Sequence, residues 1–425
     1  MENFKKYIVL WLSQSISQLG SSMTAFSFIL WIYEQTHSAL SISIISFCNY
    51  VPYILTSIFV GTFVDNHRKK LVMLVSDCVA AIVSLFALVF LMAGNLSVWH
   101  IYIINIIVGV STAFQQPASS VAMAKIVPKD KLSNVSGMNS FSSNLVIVFS
   151  PMLAAVIFSI GGLPLILLFD LFSFAIAFFV LLFLIRIPER LTKENFKSPF
   201  AEILYGFRFL KTEKGILYIM LTMAVINFFS RLTYENILSP MILARSSENN
   251  LVLGIVNACM GVGGIMGGLL VSMRKESRKK ANMIYISAAL SFLLGDLTMA
   301  VGRNVFLWSF AAFAASLPLP FIMAGENLIL YKKIPENIQG RVFAVRNAVQ
   351  YSTIPFGILL GGYLSDYVFE PFMRSNSDIV PLLGKIVGIG TGSGMAVMFL
   401  CTGICGFAMS IFSLFCKEIQ KLNDC

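Results

Sequence analysis

The chain has 425 residues, 57% of them hydrophobic and only 12% charged, with a formal net charge of +10 and a mean hydropathy of +0.81. A chain this apolar cannot stay in water as a globule, which excludes a soluble enzyme or soluble binding module. The positive charge does not point to nucleic acid either, because no basic, aromatic-interleaved soluble module is present and the charges flank apolar runs, where they face anionic lipid headgroups.

Twelve apolar runs follow one another along the chain. A helix needs about 20 apolar residues to cross the hydrocarbon of a bilayer, and only a helix or a closed barrel satisfies its backbone there. The pattern predicts spans over 7–33, 39–64, 71–93, 98–125, 136–161 and 163–187, and a second set over 216–244, 251–273, 281–302, 304–331, 340–369 and 394–416. The first run follows the basic pair Lys5 and Lys6 like a signal peptide, but it is too long and lacks a small-residue cleavage site, so it is read as span one.

Lysines and arginines concentrate in alternate gaps. Arg68, Lys69 and Lys70 follow span two, Lys129 and Lys131 follow span four, and Arg274, Lys275, Arg278, Lys279 and Lys280 follow span eight. The opposite gaps hold only Arg245, Arg303, Arg374 and Lys385. By the positive-inside rule both termini and the central linker are expected in the cytoplasm.

Seven cysteines lie in spans or near the C-terminus, and His37, His67 and His100 are far apart. Neither set has a metal-ligand spacing, so no metal and no disulfide framework are expected.

The two sets of runs meet at a polar, charged linker, which prompts a search for a repeat. Gly61 to Asp65 closes span two and Gly268 to Ser272 closes span eight, while Pro128 leads into span five and Pro335 into span eleven; both pairs are offset by 207 residues. Parallel repeats of this kind are an arrangement found in secondary transporters. Gly61, three residues, Asp65 and then the cluster Arg68, Lys69 and Lys70 resemble the loop-two signature of the major facilitator superfamily. Ser150, Pro151, Ala154 and Ala155 are similar to that superfamily's antiporter motif in span five. Pro335 with Gly340, Arg341, Val342 and Phe343 resembles the loop before span eleven in the bacterial macrolide-efflux branch. The chain departs from the pattern at Asn66, where a basic residue is usual, and in span four, which carries Asn105 but no arginine.

The resemblance implies an all-α membrane protein of 12 transmembrane helices in two pseudo-symmetric six-helix halves. The N-terminal bundle is expected over 1–187, a cytoplasmic linker over 188–214 and the C-terminal bundle over 215–425. It also implies a central cavity lined by spans one, four, seven and ten.

An ionisable side chain inside a span costs roughly 2.5 to 3.5 kcal/mol at the helix centre, so each one asks for a reason. Arg231 and Glu235 are four apart on span seven and share a helix face, with Asn227 one turn before and Tyr234 adjacent. They read either as part of a transport path or as a structural ion pair. Pro240 is expected to end or kink that helix. Glu326, beside Asn327, sits inside span ten ahead of Lys332 and Lys333. In a cavity that alternately wets and dries, it can take up and release a proton; the alternatives are an inner-gate anchor or a carboxylate reaching for the lysines. With Glu235 it is the candidate for proton coupling.

Gln14 and Gln18 in span one, with Asn105 and Gln115 in span four, form uncharged polar stripes that either line a wet cavity or hold helices together. Gly61, Asp65, Arg68, Lys69, Lys70 and Asp77 form a charge set at one mouth, suited to a gate or to a topology anchor. The run Gly261, Gly263, Gly264, Gly267 and Gly268 lacks the Lys-Ser/Thr of a phosphate loop and is read as a close helix contact. The segment Pro371 to Ser393, with Gly388, Gly390 and Gly392, is expected to be a long outer loop.

No catalytic pair or nucleotide-binding module is visible, so the protein is not expected to be an enzyme or to need a cofactor, and a proton gradient is the expected energy source. The expected function is export of amphipathic small molecules, macrolide-like or other drugs and natural products, by proton antiport. The protein is expected as a monomer in the lipid bilayer of a bacterial plasma membrane. Export of a lysolipid or a self-made peptide metabolite is the first alternative, and a ligand sensor built on a transporter fold the second.

Overall fold

The computed structural model describes residues 2–126, 132–185, 187, 210, 213–273, 279–334 and 339–424, which form helices and the turns joining them, with no strand among them. Among these residues, nine helical stretches are long and apolar enough to cross a membrane. Pro128, Pro335 and most of the 188–214 linker lie outside the described residues. By internal contact the chain divides into two units, Met1–His37 with Ile44–Asn195, and Ser38–Ser43 with Phe196–Cys425.

The first unit contains α1 (Glu2–Thr36), most of α2 (Ala39–Asn66), α3 (Lys69–Met92), α4 (Val98–Ile126) and α5 (Leu132–Phe179), which continues through a π turn, Val180–Leu184. At 1.5 Å per residue α5 would run about 70 Å if straight, more than twice the roughly 30 Å of hydrocarbon. It breaks at Gly162, whose φ of 63° and ψ of −164° no helix contains. The break falls between the predicted fifth and sixth spans. Tyr7, Leu10, Val60, Met73, Ala118 and Leu181 are buried together, and α1 packs along α5. Leu55, Phe86, Trp99, Ile160, Phe172 and Phe183 point outward, as expected where the surrounding solvent is lipid rather than water.

The second unit contains α6 (Lys214–Thr233), α7 (Leu238–Arg245), α8 (Asn250–Met273) and α9 (Lys280–Leu290). A π turn at Ser291–Asp296 carries α9 into α10 (Leu297–Val301), followed by α11 (Val305–Ser316) and α12 (Leu319–Lys333). Then come α13 (Gln339–Leu364), a π turn at Ser365–Phe369, α14 (Glu370–Met373), α15 (Ile379–Val387), α16 (Ser393–Leu414) and α17 (Lys417–Gln420).

Glycines set the closest helix approaches in this unit. A Cβ on Gly267 would lie 2.1 Å from the Leu317 carbonyl oxygen, and one on Gly263 would lie 2.3 Å from Ser316 Oγ, whereas Gly264 and Gly268 face open space. The glycine run therefore seats α8 against α11 with glycines four apart, the close approach its sequence suggested. Gly361 does the same for α13 on α6, where a Cβ would meet the Leu232 carbonyl at 2.3 Å.

Two expectations are corrected. The helix carrying Arg231 breaks before Pro240, at the turn over Tyr234–Ile237, and Pro240 sits in the first turn of α7. Proline is tolerated there because the first amides of a helix have no intrahelical acceptor to lose. The Pro371 to Ser393 segment is not simply a loop, since it carries the helix α15.

Candidate functional site

In the first unit the predicted polar stripes of α1 and α4 converge on α3. Gln115 Nε2 donates to Asp77 Oδ1 at 3.0 Å and to Gln14 Oε1 at 3.3 Å. Asp77, grouped from its sequence position with the basic cluster, is thus held by two of the predicted cavity residues. Asp77 Oδ2 and Gln14 Nε2 are both buried, and Gln14 as well as Gln115 lies within hydrogen-bonding reach of the Asp77 carboxylate, the pairing a buried carboxylate requires. Gln18, on the same helix, is exposed. Asn105 is buried and turns back onto its own helix, donating to the Ile101 carbonyl at 2.9 Å.

Of the predicted gate residues, Gly61 and Asp65 fall in the last turns of α2, and the Asp65 side chain lies outside the described residues. Arg68 is exposed and Lys69 is buried. Lys70 Nζ donates to the carbonyls of Leu182 and Ile185 at 2.9 and 2.8 Å. These are end carbonyls with no intrahelical partner, so Lys70 caps the last turn of the α5 path. Ser150, Ala154 and Ala155 are buried on α5, and Pro151 is half-buried.

A second carboxylate of this unit ties three helices. Asp170 on α5 accepts from Ser21 Oγ of α1 at 3.0 Å and from Ser84 Oγ of α3 at 3.1 Å. Gly20 leaves the room, since a Cβ there would lie 3.1 Å from the Asp170 Cα.

In the second unit, Arg231 and Glu235 form the ion pair that their spacing predicted, both partly accessible. Asn227 is half-buried one turn earlier. The Tyr234 hydroxyl is buried and faces Asp296, while its ring meets Phe399 edge-on at 5.3 Å. Asp296, almost fully buried at the end of its π turn, accepts from Thr402 Oγ1 of α16 at 2.9 Å. Each unit thus buries one aspartate whose hydroxyl donors come from neighbouring helices, an arrangement that satisfies the carboxylate without a cation.

Glu326 is buried on α12, and Gln350 Nε2 of α13 donates to it. Arg346, one turn earlier on α13, donates to Asn327 Oδ1 at 2.9 Å and also faces Glu326. Its burial among partners on α13 sets aside the reading of a carboxylate reaching for Lys332 or Lys333.

Five participants were not anticipated. Arg346 and Gln350 share the four-residue spacing of Arg231 and Glu235 but only one of them is charged, so they lack the opposite-charge signal that singled out that pair. Thr402 has no sequence signal beyond being polar in a span. Asp366 accepts from Ser38 Oγ at 2.6 Å and from the amides of Ala39 and Leu40 at 3.2 and 3.0 Å, capping the first turn of α2 within the second unit. Asn236, fully buried, adds a hydrogen bond of 2.7 Å to Ser43 Oγ in the same segment.

Among the described residues no group of three His, Cys, Asp or Glu could hold a metal ion, and the described cysteines are free thiols. What the arrangement offers is carboxylates and amides buried in apolar helices, the equipment for binding and releasing ions and small polar groups within a bilayer.

Multiple apolar crossings with intramembrane carboxylates describe a polytopic membrane protein, and the family match places it among the transporters of the major facilitator superfamily. Residues 3–389 match the sequence profile of the family MFS_3, described as transmembrane secretion effector, and the chain belongs to that family. It is 24% identical over 369 residues to macrolide efflux protein A of Streptococcus pyogenes, covering 85% of this chain and 90% of that protein. It is 22% identical to the multidrug efflux pump Tap of Mycolicibacterium fortuitum over 381 residues, covering 82% and 86%. Among solved structures, a bacterial homologue of the human lysosomal transporter Spinster superposes with a TM-score of 0.68 at 13% identity, covering 99% of this chain and 98% of that one.

Proposed function

We propose that this protein is a secondary active exporter of amphipathic small molecules, macrolide-like or other drugs and natural products, driven by inward proton flow through alternating access. In this reading its 12 spans form two pseudo-symmetric six-helix halves over 1–187 and 215–425, joined by a cytoplasmic linker over 188–214. Both termini are cytoplasmic, the membrane is a bacterial plasma membrane, and the working unit is a monomer.

The observation that supports the reading is that Glu326, buried on α12, takes a hydrogen bond from Gln350 and faces Arg346, while the partly accessible Glu235 pairs with Arg231. A carboxylate in such a site is costly to keep without a functional return. A cationic or dipolar substrate can compete with Arg231 for Glu235, and a proton can replace the hydrogen bond that Gln350 gives Glu326. We assign Glu326 to proton coupling and the Arg231–Glu235 pair to substrate, with Gln14, Gln115, Asn227 and Asn327 as neutral polar contacts. The names of the efflux relatives support export as the direction.

The test is expression in a pump-deficient bacterium challenged with macrolides, dyes and lysolipids. Raised tolerance to macrolides or dyes, lost on dissipating the proton gradient, supports the proposal. A response to lysolipids alone replaces it with lipid export.

A further inference from the structure

The helix α15 (Ile379–Val387) is joined to α14 and α16 by five residues on each side. A five-residue link spans at most about 17 Å. Its other end is α16, a helix apolar and long enough to cross the membrane, so α15 is confined to the height of the membrane boundary.

Its surface divides into three strips. Val387 is fully buried, and Val380 and Leu383 are half-buried against the rest of the unit. Next to them Ile379, Leu382 and Ile386 are 55%, 62% and 43% exposed, and Ile389 just past the helix end is 82% exposed. The spacing of three and four aligns Ile379, Leu382 and Ile386 in one stripe, while Ile389 lies beyond the turn at Gly388, beside Gly384. Pro381 and Lys385 are exposed on the remaining side.

The helix is firmly held. Arg303 Nη2 donates to the Lys385 carbonyl at 3.1 Å, Arg245 Nη2 donates to the Val387 carbonyl, and Arg245 Nη1 reaches the Gly302 carbonyl at 3.2 Å. Two guanidinium groups therefore satisfy end carbonyls and complement the negative end of the helix dipole. Gly388, at φ 91°, turns the chain there, and a Cβ on it would lie 2.8 Å from Arg245 Nη2. So the apolar stripe is displayed by a fixed helix, and its exposure is not that of a loose loop.

We propose that α15 is an in-plane membrane anchor. The stripe of Ile379, Leu382 and Ile386 lies in the acyl region of the adjoining leaflet, and Lys385 and Arg303 face the phosphates of anionic phospholipid. A helix with an apolar strip, an exposed side carrying Lys385 and a membrane-spanning segment directly after it in sequence has the composition of an interfacial helix, and Lys385 and the neighbouring Arg303 match the headgroup charge.

The test uses the full-length protein in nanodiscs made with acyl-brominated lipids. A tryptophan is placed in the stripe by Ile386→Trp, or by Leu382→Trp as a second reporter, and on the lysine-bearing side by Lys385→Trp. Emission is read as the difference from the wild type, which has four tryptophans of its own. The stripe reporters should be quenched at least twofold and Lys385→Trp little. Quenching should be stronger in discs containing phosphatidylglycerol than in phosphatidylcholine alone, and Lys385→Glu in the Ile386→Trp background should remove that difference. Quenching of neither position, or of both alike, overturns the anchor and indicates a water-exposed or protein-covered helix. Equal quenching in the two lipids overturns the headgroup assignment.

Discussion

Gln115 holds the carboxylate of Asp77 at 3.0 Å from the neighbouring helix and reaches Gln14 on a third. One side chain thereby joins α1, α3 and α4. Removing a partner from a buried acceptor costs about 1–3 kcal/mol. Gln115→Leu should lower the thermal unfolding midpoint of the purified protein accordingly, and Gln115→Asn, too short to span the gap, should recover little. An unchanged midpoint in Gln115→Leu would show that the cluster is not stabilising.

The Arg231–Glu235 pair can be a structural lock or a substrate contact, and charge reversal separates the two. Exposed i, i+4 ion pairs contribute about 0.3–0.5 kcal/mol, so Arg231→Glu with Glu235→Arg should unfold near the wild-type temperature. Substrate binding should weaken by tenfold or more in the same double variant. Full binding by the reversed pair would leave a structural role alone.

Glycine positions one residue apart should respond oppositely. Gly267→Ala drives a methyl into the Leu317 carbonyl, at 2.1 Å, while Gly268→Ala meets open space. Overpacking of this kind costs about 1–3 kcal/mol, whereas alanine in an open helical position stabilises by up to about 1 kcal/mol. Thermal unfolding of the two variants checks the sign of each.

What the sequence disclosed follows from how the physics is encoded. The break at Gly162 was visible as the gap between the runs 136–161 and 163–187, because an apolar stretch far longer than a bilayer must turn. Arg231 and Glu235 were visible because two opposite charges four apart in an apolar run have one economical explanation. Arg346 and Gln350 carry the same spacing, but their partners Asn327 and Glu326 lie on another helix, and no local pattern reports a contact across helices. The helix α15 was hidden because its flanking glycines and Pro381 read as loop, while its register shows only in which isoleucines are exposed. Asp366 falls near the end of the predicted span 340–369 with no local signal of its task, which depends on Ser38, far away in sequence.

That cap yields its own prediction. Replacing an N-terminal capping group costs about 0.5–2 kcal/mol, so Asp366→Ala should speed amide hydrogen exchange at Ala39 and Leu40 several-fold. Asp366→Asn keeps an acceptor and should fall between. Exchange unchanged in Asp366→Ala would mean that these amides find another partner.

The assignment of Glu326 as the proton-coupling carboxylate is tested most directly in proteoliposomes with an imposed pH gradient, by comparing uphill transport of a labelled macrolide with downhill exchange. Glu326→Gln should abolish uphill transport and preserve exchange, because the amide keeps the contact with Gln350 but cannot carry a proton. Glu235→Gln should weaken substrate binding while leaving coupling in place. Uphill transport by Glu326→Gln with the wild-type proton dependence would contradict the account.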